Sequence, residues 1–150
     1  MLQSGIFTYD QLHVGDDWQT DWADVSAQTI EAFAALTKDR FAIHLSDEGA
    51  RAYGFDRRVA HGLLILSLVE GLKSSAPVQV TAFASLGWDW SFRAPVYEGD
   101  SIRATVTVAA KRAAGIDKGM LTLEVRVENQ DNQIVQHGRT RLMAQRAPAH

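Results

Sequence analysis

The amino-acid sequence predicts a single α+β domain in which an antiparallel sheet curls around one long helix. The segment from His61 to Lys73 is apolar on every helical face, which is typical of a helix buried inside a domain. Two later segments, near residues 102–108 and 121–127, alternate between apolar and polar residues, as half-buried antiparallel strands do. Helices packed on one face of an antiparallel sheet define the α+β class.

The remaining elements are predicted from caps, alternation and turns. Ser26 is a good N-cap for the first helix, and Ser46 can cap a short second helix before the central one. After the central helix, residues 78–92 are predicted to form one strand. A turn at residues 129–133 leads into a last strand near residues 134–143. No linker or internal repeat divides the chain, so residues 1–150 are predicted to form one domain.

Composition limits the classes of protein to which the chain can belong. It has 46% hydrophobic and 22% charged residues, a net charge of −3 and no cysteine. These values fit a globular protein, exclude disulfides and a thiolate nucleophile, and disfavour a nucleic-acid or anionic-membrane surface. No apolar stretch reaches the roughly 20 residues of a membrane span, and the first ten residues lack the pattern of a signal peptide. We therefore expect a cytoplasmic protein that is frayed only at its extreme termini, including residues 146–150.

The segment between Asp39 and Gly62 contains the residues best suited to chemistry. Asp39 and His44 are five positions apart, and such a pair can hold one water molecule, activate it and deliver a proton. Asp56 and His61 have the same spacing, and chance pairs of this kind are common. Spacing alone therefore leaves open whether either pair is catalytic or is a helix-capping Asp beside a hydrogen-bonded His.

The motifs around these residues resemble those of the MaoC-like dehydratases, a family that includes the (R)-specific enoyl-CoA hydratases. The family signature has Asp, four residues, His, five residues and Ala, followed by Gly-Phe and by the His-Gly that opens the central helix. The matching residues are Asp39, His44, Ala50, Gly54, Phe55, His61 and Gly62. A block over residues 92–100 resembles the family's strand and turn after that helix, and the resemblance extends from about Gly15 to Ala144.

The resemblance implies a hot-dog fold that works as a homodimer or a dimer of dimers, with an acyl thioester bound between subunits. Asp39 and His44 would be the catalytic pair that hydrates a trans-2-enoyl thioester or dehydrates a 3-hydroxyacyl thioester. The backbone N–H of Gly62 would polarise the thioester carbonyl, which suits the unpaired donors at a helix N-terminus. Coenzyme A or an acyl carrier would be part of the substrate. No metal, separate cofactor, nucleic acid or membrane partner is implied.

Four further residues are candidates for substrate binding. Phe41 stands where the family usually has Asn, and a Phe41 that blocks the site would favour a non-catalytic acyl-binding subunit. Glu70 is a carboxylate on an apolar helix, and it either emerges into solvent or lies in the acyl tunnel. The alternative function is a hot-dog acyl-CoA thioesterase that would use Glu70 or Asp39. Arg57 and Arg58 could meet the phosphates of coenzyme A or could simply be solvated.

The second Asp/His pair is predicted to be structural. We expect Asp56 and His61 to shape the turn into the central helix rather than to meet the substrate. The His61 side chain is predicted to point away from the surface that the Gly62 N–H presents, and to hold the helix start by packing and hydrogen bonding. No functional role is expected for His13, His137 or His150.

Overall fold

The computed structural model describes residues 1–147, so residues 148–150 of the predicted frayed tail, including His150, lie outside the described part. Arg146, at the start of that tail, binds Asp10 with a distance of 2.9 Å between Nη2 and Oδ1. The elements are β1 (Gly5–Phe7), β2 (Asp17–Gln19), β3 (Ala23–Asp24), α1 (Ala27–Thr37), α2 (Asp47–Arg51), α3 (Gly62–Ser75), β4 (Val78–Val80), β5 (Ala82–Phe92), β6 (Ser101–Ala113), β7 (Lys118–Asn129) and β8 (Ile134–Gln145). Short 3-10 turns span Tyr9–Gln11 and Ala42–His44. No helix within residues 1–147 is both long enough and apolar enough to cross a membrane.

The main sheet is antiparallel, with the strand order β2-β6-β7-β8-β5 and with β3 also paired to β6. Strands β1 and β4 form a separate parallel pair. The two alternating segments of the sequence lie in β6 and β7, as predicted, and their apolar members, such as Val106 and Leu123, are fully buried. The predicted hot-dog architecture, a curved antiparallel sheet around a central helix, is confirmed.

The central helix α3 begins at Gly62, directly after His61, as the sequence predicts. Its buried face consists of Leu64, Ile65 and Val69. On the other side of the helix, Leu63 is 62% exposed. The sequence predicted a helix that is buried on every face, and a single chain does not bury it completely. An apolar face left open in this way is the kind of surface that a second subunit covers.

Both predicted helix caps are present. The Ser26 side chain accepts a hydrogen bond from the N–H of Thr29, and the Ser46 side chain accepts one from Gly49. Helix α1 then ends on Lys38, which has the left-handed φ of 64°. This conformation favours glycine, so Lys38 is an unusual residue at this helix end. It also turns the chain away from the helix axis just before Asp39.

The prediction of one strand over residues 78–92 is wrong. Val78–Val80 pairs in parallel with β1, and only Ala82–Phe92 pairs with β8. Alternation and β-propensity indicate that a segment is a strand, but they do not identify the strand with which it pairs. The change of partner strand at Thr81, from β1 to β8, is therefore not visible in the sequence. The sequence also missed β1, β2 and β3, because strands this short contain too few residues to show a period of two.

Candidate active site

A largely apolar cavity of about 630 Å³ opens at the start of α3. The three residues that the sequence assigns to catalysis, Asp39, His44 and Gly62, all line it. They arrive from separate segments, the loop after α1, the 3-10 turn and the first turn of α3. Most of the remaining wall is apolar and includes Phe33, Ile43, Phe55, Val96 and Phe92.

The His44 ring is fixed by a main-chain carbonyl. Its Nδ1 lies 2.7 Å from the carbonyl oxygen of Val59. Because a carbonyl can only accept, Nδ1 carries the proton and Nε2 has a free lone pair in the neutral ring. Burial lowers the pKa of His44 and outweighs the hydrogen bond to Val59, which raises it; nearby His61 lowers it further, and Asp39 opposes this. The site therefore favours the neutral, proton-accepting form.

Asp39 is held through its main chain, while its side chain lies on the exposed side of the cavity. Its N–H donates to Oγ1 of Thr37 at 3.2 Å, and its Oδ1 accepts from the N–H of Phe41 at 3.4 Å. Its carbonyl oxygen accepts from Nε2 of His61 at 2.9 Å. The carboxylate is thus placed by a loop that hydrogen bonds fix at both ends.

His61 lies in the site, so the prediction that it points away from the Gly62 surface is wrong. It lines the same cavity, and its ring stacks on His44 with centroids 3.8 Å apart and planes 22° apart. The predicted packing and hydrogen bonding are nevertheless present, since the ring also meets Phe33 edge-on at 4.9 Å and binds Asp39. The available signal in the sequence was the position of His61, which directly precedes Gly62, another residue of the cavity wall.

Gly62 is the first residue of α3, and its N–H has no acceptor within residues 1–147. Its carbonyl accepts from Nε2 of Gln136 at 3.1 Å. A Cβ added at this position would lie 2.3 Å from the ring of Phe92. A larger residue would therefore have to displace the Phe92 ring, and the unpaired N–H of Gly62 remains available to a ligand in the cavity.

Phe41, a predicted substrate-binding or blocking residue, is not part of the cavity wall. It is the extended N-cap of the 3-10 turn, and its half-exposed ring packs against Tyr53 at a centroid distance of 5.0 Å. The same ring lies edge-on to the ring of His44, with the centroids 6.4 Å apart. Phe41 therefore borders the site from outside the cavity wall.

Glu70 lies outside this cavity as well. Its Oε1 is 2.8 Å from Nζ of Lys73, and it borders a separate cavity of about 220 Å³ near the end of α3. The sequence left two alternatives for Glu70, exposure to solvent or a place in the acyl tunnel. Neither describes it fully, because its carboxylate is half-exposed and is paired with Lys73. The separation follows from helix geometry, since Glu70 lies about two turns from Gly62.

Arg57 and Arg58 do not line the cavity. Arg58 is only 7% exposed, and it binds Glu98 at 3.0 Å and Glu31 at 3.3 Å. Arg57 binds Asp100 at 3.3 Å. Both cations are engaged within the chain. The expected exposure of Arg58 is wrong, because this arginine is buried and paired with two carboxylates from distant segments.

Arg93 is the cation that the sequence interpretation missed. It lines the cavity, and its Nε donates to Nε2 of His137 at 2.8 Å. It belongs to the 92–100 block that carries the second part of the family resemblance, and this was the available signal. An arginine at the cavity wall can bind a phosphate or carboxylate.

Asp39, His44 and His61 have side-chain nitrogen and oxygen atoms within 4.8 Å of one another. Histidine and carboxylate clusters of this size can hold a divalent ion when their lone pairs converge. Here the two imidazoles are stacked, so their in-plane lone pairs run side by side. One nitrogen of each ring is bound to a main-chain carbonyl, which leaves Nε2 of His44 and Nδ1 of His61 as the free lone pairs of the neutral rings.

A family model, related sequences and solved structures all point to the same protein family. The MaoC like domain matches residues 11–133. The (R)-specific enoyl-CoA hydratase of Aeromonas caviae is 37% identical over 105 residues, which are 69% of this chain and 75% of that protein. The 3-hydroxybutyryl-CoA dehydratase of Methylorubrum extorquens is 37% identical over 89 residues, 57% of this chain and about half (54%) of that protein. The crystal structure of a MaoC-like dehydratase from Rhodospirillum rubrum superposes with a TM-score of 0.88 at 25% identity, over 95% of this chain and 99% of that one.

Proposed function

Because the chain belongs to the MaoC-like dehydratase family, we propose that it is a lyase that hydrates trans-2-enoyl thioesters or dehydrates 3-hydroxyacyl thioesters. The observation that carries the proposal is the convergence of Asp39, His44 and the unpaired N–H of Gly62 on one apolar cavity. The cavity wall suits an acyl chain, and the polar residues suit the reacting carbons and the thioester oxygen. Coenzyme A or an acyl carrier enters as part of the substrate.

Water is activated between Asp39 and His44. The Asp39 carboxylate and the free Nε2 of His44 can each accept one of the two hydrogens of a water molecule. The water oxygen attacks C3 as His44 takes one proton, and the π electrons of the double bond pass through C2 to the thioester oxygen. His44 then returns the proton to C2. Both new bonds form on one face of the alkene, which is syn addition, and dehydration is the same sequence in reverse.

The Gly62 N–H stabilises the intermediate. Negative charge develops on the thioester oxygen when water attacks, and donors already fixed in place stabilise that charge without reorganising. The N-terminus of α3 provides the unpaired donor and the positive end of the helix dipole.

The active form is proposed to be a homodimer, alone or as part of a dimer of dimers. In one chain the cavity is flanked by Leu63, 62% exposed, and by Phe92, 56% exposed. A second copy would bury these side chains and would turn the open cavity into a tunnel. A cytoplasmic location, where coenzyme A thioesters are used, goes with this proposal.

A thioesterase reaction based on Glu70 has no support in the geometry. Glu70 is paired with Lys73 and borders another cavity, about two helical turns from Gly62. The non-catalytic alternative depended on a blocking Phe41, and that ring lies outside the cavity wall.

The test is a panel of enoyl-CoA and saturated acyl-CoA esters of different chain lengths. Loss of the enoyl chromophore and release of free thiol are followed in parallel. We expect chromophore loss without thiol release. Thiol release from saturated esters would instead identify a thioesterase, and no change with any ester would support a binding subunit.

A further inference from the structure

We propose that His61 is a positioning residue whose ring supports the ring of His44 while its Nε2–H fixes the main chain at Asp39. One side chain would then set the relative placement of both reacting groups. This inference rests on the proposed function, because it deepens the role of the same site. It was not predicted from the sequence, where His61 was expected to face away.

The contacts leave the His44 ring little freedom to rotate. Val59 holds Nδ1 on one edge at 2.7 Å, and the His61 ring covers one face at 3.8 Å. His61 is itself only 2% exposed and is held by the edge of Phe33 and by the carbonyl of Asp39. Movement of either catalytic group therefore has to disturb the other through His61.

The hydrogen bonds also fix the tautomer of His61. Its Nε2 donates to a carbonyl, so in the neutral ring Nδ1 is a bare acceptor, and this atom is buried without a hydrogen-bond partner among the described residues. An unpaired buried acceptor costs free energy. A phenylalanine would fill the same space without that cost, so the imidazole is explained by the bond that Nε2 makes to Asp39.

The contact with His61 also acts on the charge state of His44. After burial, which is the larger cause, nearby His61 lowers the pKa of His44 further. The titratable groups that act on His44 are Asp39 from the loop after α1 and His61 from the start of α3. Arg93 also borders the cavity, where it is bonded to His137. Of these groups, only His61 stacks directly on the His44 ring.

The first measurement uses the unaltered protein. Nitrogen-15 correlation spectra of the histidine rings at neutral pH should show His44 protonated on Nδ1 and His61 protonated on Nε2. A His61 with a proton on Nδ1 would overturn the proposal. This result does not depend on any enzymatic assay.

Two variants then separate the two contacts. His61→Phe keeps a flat ring and removes the donor, whereas His61→Gln keeps a donor and removes the ring. Each should lower kcat by about 10-fold to 100-fold with little change in KM, as expected for misplaced reacting groups. Each should also raise the titration midpoint of His44, because the nearby imidazole that lowers its pKa is removed. The matched control is His13→Gln, which changes an exposed histidine outside the cavity.

The outcomes distinguish this inference from the proposed function. Folded variants with an unchanged kcat and an unchanged His44 midpoint would reject the role of His61 and leave the hydratase reaction intact. If no ester is hydrated by the unaltered protein, the proposed function fails, while the ring titrations still decide whether His61 controls His44. If a variant does not fold, the tautomers of the unaltered protein decide the question.

Discussion

At the scale of single residues, the chemistry of His44 is decided by a neighbour with no reactive side chain. The Val59 carbonyl selects the tautomer, and burial selects the charge state. We expect Asp39→Asn and His44→Ala each to lower hydratase turnover by roughly 10²-fold or more, the usual contribution of a positioned acid or base. Circular dichroism should show both variants folded, and His13→Ala should match wild type. Near-native turnover in either variant would mean that the pair is misassigned.

The depressed pKa of His44 predicts a pH dependence with a definite sign. Its folded-state pKa lies below the unfolded-state value, so the stability that neutral His44 contributes is present above the unfolded-state value. That stability is lost as the pH falls through the folded-state pKa. Activity needs the neutral ring, so the acid limb of kcat/KM should lie below the ordinary pKa of histidine. A pH profile checks this, and an acid limb above that value would contradict it.

The position of Arg93 at the cavity wall leads us to expect that it binds a phosphate of coenzyme A. We expect Arg93→Ala to raise KM for coenzyme A esters by about 10-fold through loss of a charge-assisted phosphate contact. Thioesters of N-acetylcysteamine, which have no phosphate, should be affected much less. Arg57→Ala is the control, because that arginine is bound to Asp100 and lies outside the cavity wall. Equal losses on both substrate types would show that Arg93 supports the fold rather than the ligand.

At the scale of elements, the first residue of α3 lies close to the ring of Phe92, the last residue of β5. We expect Gly62→Ala to displace the Phe92 ring, which its Cβ would approach to 2.3 Å. Overpacking of this kind costs about 1–3 kcal/mol of unfolding free energy, and it should also lower kcat because the N–H moves. Thermal melts and turnover measure both effects. The double variant Gly62→Ala/Phe92→Leu should recover part of the stability, and no recovery would point to a backbone cause.

The sequence predicted the long elements well, and it predicted non-local pairing badly. The apolar run of α3 and the alternation of β6 and β7 repeat over enough residues to be recognised. The spacing of Asp39 and His44, with its motif, placed both in the cavity. Arg58 was misjudged because its partners, Glu31 and Glu98, come from distant segments. Residues 78–92 were misjudged for the same reason, because their two partner strands, β1 and β8, are distant in the sequence.

At the scale of the whole molecule, a single chain leaves the Leu63 side of α3 exposed. We expect sedimentation to show a dimer at micromolar concentration, with an interface above roughly 1,000 Å² in total. Leu63→Glu should dissociate the dimer and lower activity, because it puts a charge on the open face of α3. The control Ile116→Glu alters an equally apolar side chain, 82% exposed in the β6–β7 turn, and should leave the dimer intact. A monomer with full activity would contradict the shared-tunnel proposal.

The order of strands has a consequence for how the protein survives at high concentration. Within residues 1–147, β5 is the last strand of the sheet and pairs only with β8, so one of its edges is open. It carries the exposed aromatic rings of Phe83 and Phe92. Long apolar edges of this kind template aggregation. A chain without its partner should therefore aggregate faster at high concentration than the dimer does, and assembly would act as quality control on newly made protein.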